Sequence, residues 1–312
     1  MRLAVIDCGT NTFNLLILDV TADKKHQHVF STRIPVRLGG SSTTSGVISD
    51  AAFQRGIDAI GNFHEEIQHH RVNHTVAIAT SAIREATNGL AFVRKVAELY
   101  TISVEVIEGN REAELIYYGV REAVTMSEEV SLIMDIGGGS TEFILANSQQ
   151  VFWKQSFKIG VARLLQLFAP SDPITVEQKN AIERYLNEAL EPLYKAVIKF
   201  KPHELIGSSG AFESIVEMIH GELGGEALTA EKSEYVVRLL DNHAISHLAI
   251  NSTLEQRKKI KGLVPMRFDM IVISCLTVNL ILTSFGLNKL RVSTFSVKEG
   301  ALLDYLLHQK KI

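Results

Sequence analysis

The sequence predicts an α/β protein built from two related domains. The chain has 312 residues, 46% of them hydrophobic, and this length favours two cores over one. Segments with helical periodicity alternate with short apolar runs that are typical of buried strands. A motif near the N-terminus also returns 128 positions later, from Asp7 to Asp135. A repeat of this kind indicates a repeated structural unit.

The repeat consists of LAVIDCGTNTFNLLIL (3–18) and SLIMDIGGGSTEFILA (131–146). In each copy an apolar run ends in Asp-x-Gly, small polar residues follow, and a second apolar run returns. Asp7 aligns with Asp135, and Gly9 aligns with Gly137. The pattern predicts a hairpin of two antiparallel strands in each half of the chain.

The rest of the chain continues the alternation of helices and strands. Phe53, Ile57, Ile60 and Ile67 share one face of a predicted helix, and residues 75–80 then have the pattern of a buried strand. The other predicted elements are strands at 104–109, 203–210 and 290–295, a long helix over 176–200, a core helix over 270–282 and a final helix from 296.

Composition limits the classes of function. The net charge of −3 is spread along the chain, so neither a nucleic acid nor a membrane is an expected partner. The apolar run 270–282 is shorter than the roughly 20 residues of a membrane span. The N-terminus lacks a signal-peptide pattern, and Cys8 and Cys275 lack metal or redox spacing. We therefore expect a cytoplasmic protein with reduced thiols.

Three glycine-containing turns predict phosphate sites. A turn without side chains lets backbone N–H groups approach phosphate oxygens, and three glycines followed by hydroxyls exceed what a plain hairpin needs. The third turn leads from a strand into a helix, whose N-terminal amides favour an anion. The residues predicted to contact phosphate are Thr10, Asn11, Gly137, Gly138, Gly139, Ser140, Gly207, Ser208, Ser209 and Gly210.

Two carboxylates flank the second hairpin turn. Asp135 and Glu142 lie on either side of the glycines, where both side chains could face one site. Carboxylates beside phosphate repel it unless a cation intervenes, and hard oxygen ligands together with phosphate suit Mg²⁺. The sequence therefore predicts a Mg²⁺ site at Asp135 and Glu142; the alternative for Glu142 is a solvated turn carboxylate.

Six segments together resemble the exopolyphosphatase and guanosine pentaphosphatase family, within the actin, Hsp70 and sugar-kinase superfamily. They are DCGTNTFNLLI, ATSAIREATN, VIEGNREAELIYYG, DIGGGSTEFIL, GSSGAFES and SVKEGALL. The two hairpin segments alone would indicate only the superfamily. The segments that contain Arg84 and Glu112 select the family.

The resemblance implies two ribonuclease H-like domains with a cleft between them, the final helix returning to the first. On this basis the domains are residues 1–125 joined by about 297–312, and residues 126–296. It also implies hydrolysis of a terminal phosphate from inorganic polyphosphate or from guanosine 5′-triphosphate 3′-diphosphate. The sequence does not choose between these substrates. Relatives are often homodimers, but the sequence itself does not show the oligomeric state.

The resemblance also assigns roles by position. Glu112 matches the catalytic glutamate, Arg84 an arginine that contacts phosphate, and Asp135 and Glu142 the carboxylates associated with the metal. These roles agree with the chemistry, since water attack on a phosphoryl group needs a base, a neutralising cation and in-line positioning.

The chain departs from the family at one position and leaves other classes open. Two glutamates commonly stand where this chain has Arg111 and Glu112, so Arg111 is expected either to face solvent or to add positive charge at the mouth of the cleft. The alternative functions are a kinase or ATPase of the same superfamily and a sensor that binds polyphosphate or the guanosine compound without cleaving it.

Overall fold

A computed structural model describes residues 1–21, 25–39 and 46–308, and the chain forms two compact units. The first unit comprises Met1–Gly119 together with the C-terminal segment that begins at Val297, and the second comprises Val120–Ser296. The sequence-based division lay between residues 125 and 126 and near residue 297.

The first unit contains a five-stranded sheet in the order β3-β2-β1-β4-β5. Its strands are β1 (Arg2–Cys8), β2 (Thr12–Val20), β3 (His26–Pro35), β4 (His74–Ala79) and β5 (Val104–Val106). The helices of this part of the chain include α1 (Asp50–His69), α2 (Ser81–Glu85), α3 (Gly89–Tyr100) and α4 (Gly109–Ala123). β1 pairs antiparallel with β2 and parallel with β4.

The second unit contains a six-stranded sheet in the order β10-β11-β9-β6-β7-β8. Its strands are β6 (Ser131–Ile136), β7 (Thr141–Ala146), β8 (Val151–Phe157), β9 (Leu205–Ser208), β10 (Glu234–Val237) and β11 (Leu290–Ser293). Its helices are α5 (Val161–Phe168), α6 (Val176–Ala189), α7 (Glu191–Phe200), α8 (Ser209–Leu223), α9 (Leu239–Asn251), α10 (Leu254–Arg257) and α11 (Ile271–Ser284). The last helix, α12 (Val297–His308), belongs to the first unit.

The two sheets share one strand order. The run β8-β7-β6-β9-β11 in the second unit matches β3-β2-β1-β4-β5 in the first, and β10 is an additional antiparallel strand beside β11. In each unit the second strand along the chain lies between the first and the third and pairs antiparallel with both. This arrangement is the one expected of ribonuclease H-like domains. The α/β fold class predicted from the sequence is confirmed.

Burial explains why the periodic segments were predicted well. Ile57, Ile60 and Ile67 on α1 are buried in the first core, and Phe53 packs against that core. The predicted core helix corresponds to α11, which is buried continuously from Ile271 to Val278. Both thiols are free and buried, as expected, and burial raises the pKa of Cys275 to about 12.

Several boundaries differ from the predictions for local physical reasons. The long helix over 176–200 is two helices, because Pro192 stands in the first turn of α7, where proline is tolerated as a helix starts anew. The strand predicted over 203–210 ends at Ser208, since α8 begins at Ser209. Strands β3, β8 and β10 were not predicted, and each lies at a sheet edge. Polar residues interrupt the apolar signal in β3 and β8, and β10 has only four residues.

The final helix packs closely on α4. A Cβ built on Gly300 of α12 would lie 1.7 Å from the carbonyl oxygen of Leu115 on α4, so only glycine permits this approach. Among the helices within the described ranges, none combines the length and the apolarity that crossing a membrane requires.

Candidate active site

The two predicted hairpins are confirmed and have the same turn. In the first, the Gly9 N–H donates to the Thr12 carbonyl oxygen at 3.2 Å; in the second, the Gly137 N–H donates to the Ser140 carbonyl oxygen at 3.0 Å. A Cβ on Gly9 or Gly137 would lie 2.8 or 2.9 Å from that same oxygen. Both turns therefore require glycine at this position.

The carbonyl groups of Gly137–Gly139 face the start of α5. They accept hydrogen bonds from the N–H groups of Val161 (3.0 Å) and Ala162 (2.9 Å) and from Nε of Arg163 (2.9 Å). In a planar trans peptide the N–H points opposite to the carbonyl. The N–H groups that follow these carbonyls, up to that of Ser140, therefore point away from α5, and successive N–H groups of this kind form an anion-binding concavity.

The first turn is held in the same way by a different segment. The Asn11 carbonyl accepts from the N–H groups of Val36 and Arg37, both at 2.9 Å, and the Thr10 carbonyl accepts from that of Gly39 at 3.3 Å. The N–H groups that follow these carbonyls are consequently directed to the other side of the turn. Thr10 and Asn11 lie in this turn, and their contact with phosphate stays a prediction.

The third turn joins β9 to α8. Ser208 is the N-cap residue of α8, but its hydroxyl makes no capping hydrogen bond. Ser209 has a φ of 72°, a left-handed conformation that non-glycine residues rarely adopt. A Cβ on Gly210 would lie 2.0 Å from Nη2 of Arg267. The glycine therefore admits a guanidinium beside the start of α8, and sequence reasoning missed Arg267 because it lies in a short 3₁₀ helix without a motif.

Four polar residues form one row across the second sheet. Strand pairing places Asp135 opposite Glu142, and the outer partners on β9 and β8 complete the row Ser208, Asp135, Glu142, Ser156. Directly paired residues on adjacent strands place their side chains on the same face of the sheet. Asp135 is 6% exposed and Glu142 is 1% exposed, which excludes a solvated turn carboxylate for Glu142.

In the first unit, Arg84 meets Glu112. Nη1 of Arg84, in α2, lies 3.0 Å from Oε2 of Glu112, in the first turn of α4, and donates to the Ile107 carbonyl at 2.8 Å. Both side chains are largely buried. Within the described part of the chain, Nε and Nη2 of Arg84 have no hydrogen-bond partner. One edge of the guanidinium thus holds the carboxylate, and the other edge remains for an anion.

Asp7 is a further buried carboxylate at the first hairpin. It is 8% exposed, and its Oδ2 accepts a hydrogen bond from Nδ2 of Asn14 at 3.0 Å. The alignment of Asp7 with Asp135 was the signal in the sequence, although no role was assigned to Asp7. Nearby, the Thr10 and Ser81 hydroxyls lie 2.9 Å apart.

Arg111 is not the free surface charge that one expectation described. Its Nη1 lies 3.0 Å from Oε2 of Glu114, and its Nη2 contacts Oδ2 of Asp304 on α12. Its side chain is 34% exposed. Arg111 thus forms ion pairs within the first unit, and its pair with Asp304 links α4 to the final helix.

The residues present fit a Mg²⁺ ion shared with a substrate. Asp135 and Glu142 are adjacent, buried carboxylates, which are the oxygen ligands that Mg²⁺ prefers. Across the ranges that the structure describes, no group of three or more histidine, cysteine or acidic side chains comes together as a metal site. Such an ion would keep water and take phosphate oxygens as its remaining ligands.

Comparison with known proteins gives a consistent result. The family model of the Ppx/GppA phosphatase family matches residues 16–309. Exopolyphosphatase 2 of Mycobacterium tuberculosis is 29% identical over 316 aligned positions, which cover 97% of this chain and 98% of that protein. The guanosine-5′-triphosphate,3′-diphosphate pyrophosphatase of Photobacterium profundum is 29% identical over 75% of this chain and 47% of its own length.

Solved structures agree in fold along the whole chain. A crystal structure of an exopolyphosphatase from Cytophaga hutchinsonii has a TM-score of 0.96 and 37% identity, and covers 99% of both chains. The Aquifex aeolicus member of the Ppx/GppA family has a TM-score of 0.82 at 23% identity. The resemblance drawn from the sequence is therefore confirmed: the chain belongs to the Ppx/GppA phosphatase family.

Proposed function

We propose that this protein is a Mg²⁺-dependent hydrolase that releases terminal phosphate from inorganic polyphosphate or from guanosine 5′-triphosphate 3′-diphosphate. Relatives named as an exopolyphosphatase and as a guanosine-5′-triphosphate,3′-diphosphate pyrophosphatase support the substrate class. The observation that carries the proposal is the Arg84–Glu112 contact, which places a base candidate and a phosphate-binding candidate side by side.

Backbone N–H groups and two guanidinium groups would bind the phosphates. The outward N–H groups of the Thr10–Asn11 and Gly137–Ser140 turns offer donors to phosphate oxygens, as does the start of α8 at Ser209 and Gly210. The free edge of Arg84 suits a forked contact with phosphate. Arg267 adds a positive charge beside Gly210.

Asp135 and Glu142 would hold the Mg²⁺ ion. When bound, such an ion neutralises charge on the transferred phosphoryl group and polarises its oxygens. The two carboxylates keep their places because they lie within paired strands rather than in the turn itself. The glycine turn lies between these two strands, so the phosphate loop and the metal ligands belong to the same hairpin.

Glu112 accepts the proton of the attacking water. A general base must be held within reach of that proton, and the Arg84 contact fixes the carboxylate at the first turn of α4. Oε2 faces Arg84, so the guanidinium supports Glu112 while also contacting phosphate.

A cytoplasmic location and a homodimeric state are also part of the proposal. Light scattering of the purified protein tests the homodimeric state.

The test compares initial rates of phosphate release from long polyphosphate, short polyphosphate and guanosine 5′-triphosphate 3′-diphosphate with Mg²⁺. Glu112→Gln keeps size and hydrogen bonding but loses basicity, so we expect kcat to fall by roughly 10² to 10⁴-fold with substrate binding retained. Wild-type turnover by this variant would rule out Glu112 as the base. Binding without release by the wild type would indicate a sensor, and transfer from ATP to an added acceptor would indicate a kinase.

A further inference from the structure

We propose that Ser156 and Ser208 are positioning residues that orient Glu142 and Asp135 toward a divalent cation. The inference rests on the proposed function, because it concerns the same Mg²⁺ site. The sequence predicted a phosphate contact for Ser208, but its side chain is fully buried and its hydroxyl contacts Asp135. Neither serine touches the reacting atoms. Each acts through the carboxylate that it contacts.

The two serines occupy equivalent outer places in the row across the second sheet. The Ser156 hydroxyl donates to Oε1 of Glu142 at 2.6 Å, and the Ser208 hydroxyl donates to Oδ2 of Asp135 at 2.8 Å. Strand register fixes both contacts, since Ser156 pairs with Glu142 and Ser208 pairs with Asp135. Each serine thus contacts its carboxylate on the side away from the other acidic residue. This contact restricts how the carboxylate can rotate.

The Ser208 hydroxyl is directed toward Asp135 rather than toward its own helix. An N-cap serine normally accepts a hydrogen bond from an N–H group in the first turn of its helix. Ser208 caps nothing at the start of α8, and it is fully buried against β6. Its hydroxyl lies 2.8 Å from Oδ2 of Asp135 and 3.3 Å from the Phe295 carbonyl oxygen, so the contact with Asp135 is the shorter of the two.

Ser156 has a matching role on the other side of the row. It lies on β8, an edge strand whose residues are mostly half-buried. Packing in the core therefore does not explain why this residue is a serine. Two carboxylates directly opposite one another repel, and a lysine or arginine at position 156 would neutralise them and compete with a metal ion. A neutral hydroxyl orients Glu142 without removing the negative charge that attracts a cation. Such outer partners typically tune metal affinity.

The experiment measures Mn²⁺ binding to the whole protein by electron paramagnetic resonance, with and without inorganic phosphate. Ser156→Ala is expected to weaken Mn²⁺ binding by about 10- to 100-fold and to raise the Mg²⁺ concentration for half-maximal phosphate release by a similar factor. At saturating Mg²⁺, kcat should stay within about threefold of the wild type. Ser156→Thr keeps the hydroxyl on a strand-favouring residue and should restore most of the affinity.

Gln155→Ala is the matched control, because Gln155 is the neighbouring position on β8 and pairs with Phe143 rather than with an acidic residue. Its Mn²⁺ affinity should equal that of the wild type. Ser208→Ala should weaken Mn²⁺ binding as Ser156→Ala does, and its metal-free thermal unfolding shows whether the buried site still folds.

The outcomes separate this inference from the proposed function. Equal Mn²⁺ affinity in the wild type, Ser156→Ala and a folded Ser208→Ala would overturn the positioning role while leaving a hydrolase intact. A wild type that releases no phosphate from any substrate would overturn the hydrolase, and the Mn²⁺ titrations would still decide whether the serines orient the carboxylates.

Discussion

The two hairpins have nearly the same backbone but carry different rows of side chains. In the first unit, strands β3, β2, β1 and β4 align Arg33, Asn14, Asp7 and Ile78. In the second unit, strands β8, β7, β6 and β9 align Ser156, Glu142, Asp135 and Ser208. The first row holds one carboxylate and one arginine, whereas the second holds two carboxylates and no basic residue. The same framework thus carries an arginine in the row of one unit and two paired carboxylates in the row of the other, where the proposed Mg²⁺ ion would add positive charge.

Two other buried carboxylates in the molecule have an arginine as partner. Glu204 contacts Arg291 in the second unit, and Glu112 contacts Arg84 in the first. The carboxylates of Asp135 and Glu142 accept hydrogen bonds from serine hydroxyls. Removal of an arginine or of its carboxylate partner should therefore change stability or activity measurably.

The largest effect on stability is expected at Glu204. This carboxyl is fully buried, and although burial raises its pKa, hydrogen bonds from Arg291, Lys289 and Ser131 lower the pKa from 4.5 to about 2. A lowered folded-state pKa stabilises the fold above the unfolded value, and this stabilisation is lost as the pH falls from 4.5 toward 2. The loss amounts to about 3 kcal/mol.

Urea unfolding of the wild type and Glu204→Gln between pH 7 and pH 2.5 measures this contribution. The variant should be less stable at pH 7, because Arg291 loses a buried charged partner, and its stability should fall less on acidification. The same acid dependence in both proteins would contradict the role given to the Glu204–Arg291 pair.

Removal of Arg84 should reduce activity next most strongly. Arg84→Ala loses a charge-assisted contact with phosphate worth ~1.5 to 3 kcal/mol, so kcat/KM should fall by about 10- to 150-fold. It also removes the contact that Arg84 makes with the Glu112 carboxylate, so kcat should fall together with kcat/KM. Arg84→Lys should restore only part of the activity, because a point charge cannot make the forked contact. Steady-state phosphate release measures both, and unchanged kinetics in both variants would return Arg84 to a structural role.

The smallest effect is expected at Arg111. Arg111→Glu places a third carboxylate beside Glu114 and Asp304, and since the site is half-exposed the cost should be about 1 kcal/mol. The melting temperature should fall by a few degrees, while kcat holds. The double variant Arg111→Glu with Asp304→Arg should recover part of the loss. A collapse of kcat at an unchanged melting temperature would place Arg111 in the catalytic machinery.

The sequence predicted those parts of the site that depend on local signals. Asp-x-Gly between apolar runs fixed both hairpins, because a glycine turn and its flanking strands are specified within about 16 residues. It did not predict Ser156, since that residue acts through the register of an edge strand that lacks a clear alternation. The Arg111–Asp304 pair joins residues 193 positions apart, a distance over which periodicity carries no information.

The central claim, that the second hairpin requires a divalent cation, is tested most directly by titrating Mg²⁺ into chelated protein while measuring phosphate release. We expect no release in excess EDTA, full recovery with Mg²⁺, and a Mg²⁺ requirement raised by at least about 10-fold in Glu142→Gln. Asn14→Ala, at the equivalent place in the first hairpin, should keep the wild-type Mg²⁺ requirement. Full activity in thoroughly chelated protein, or equal shifts in Glu142→Gln and Asn14→Ala, would contradict the claim.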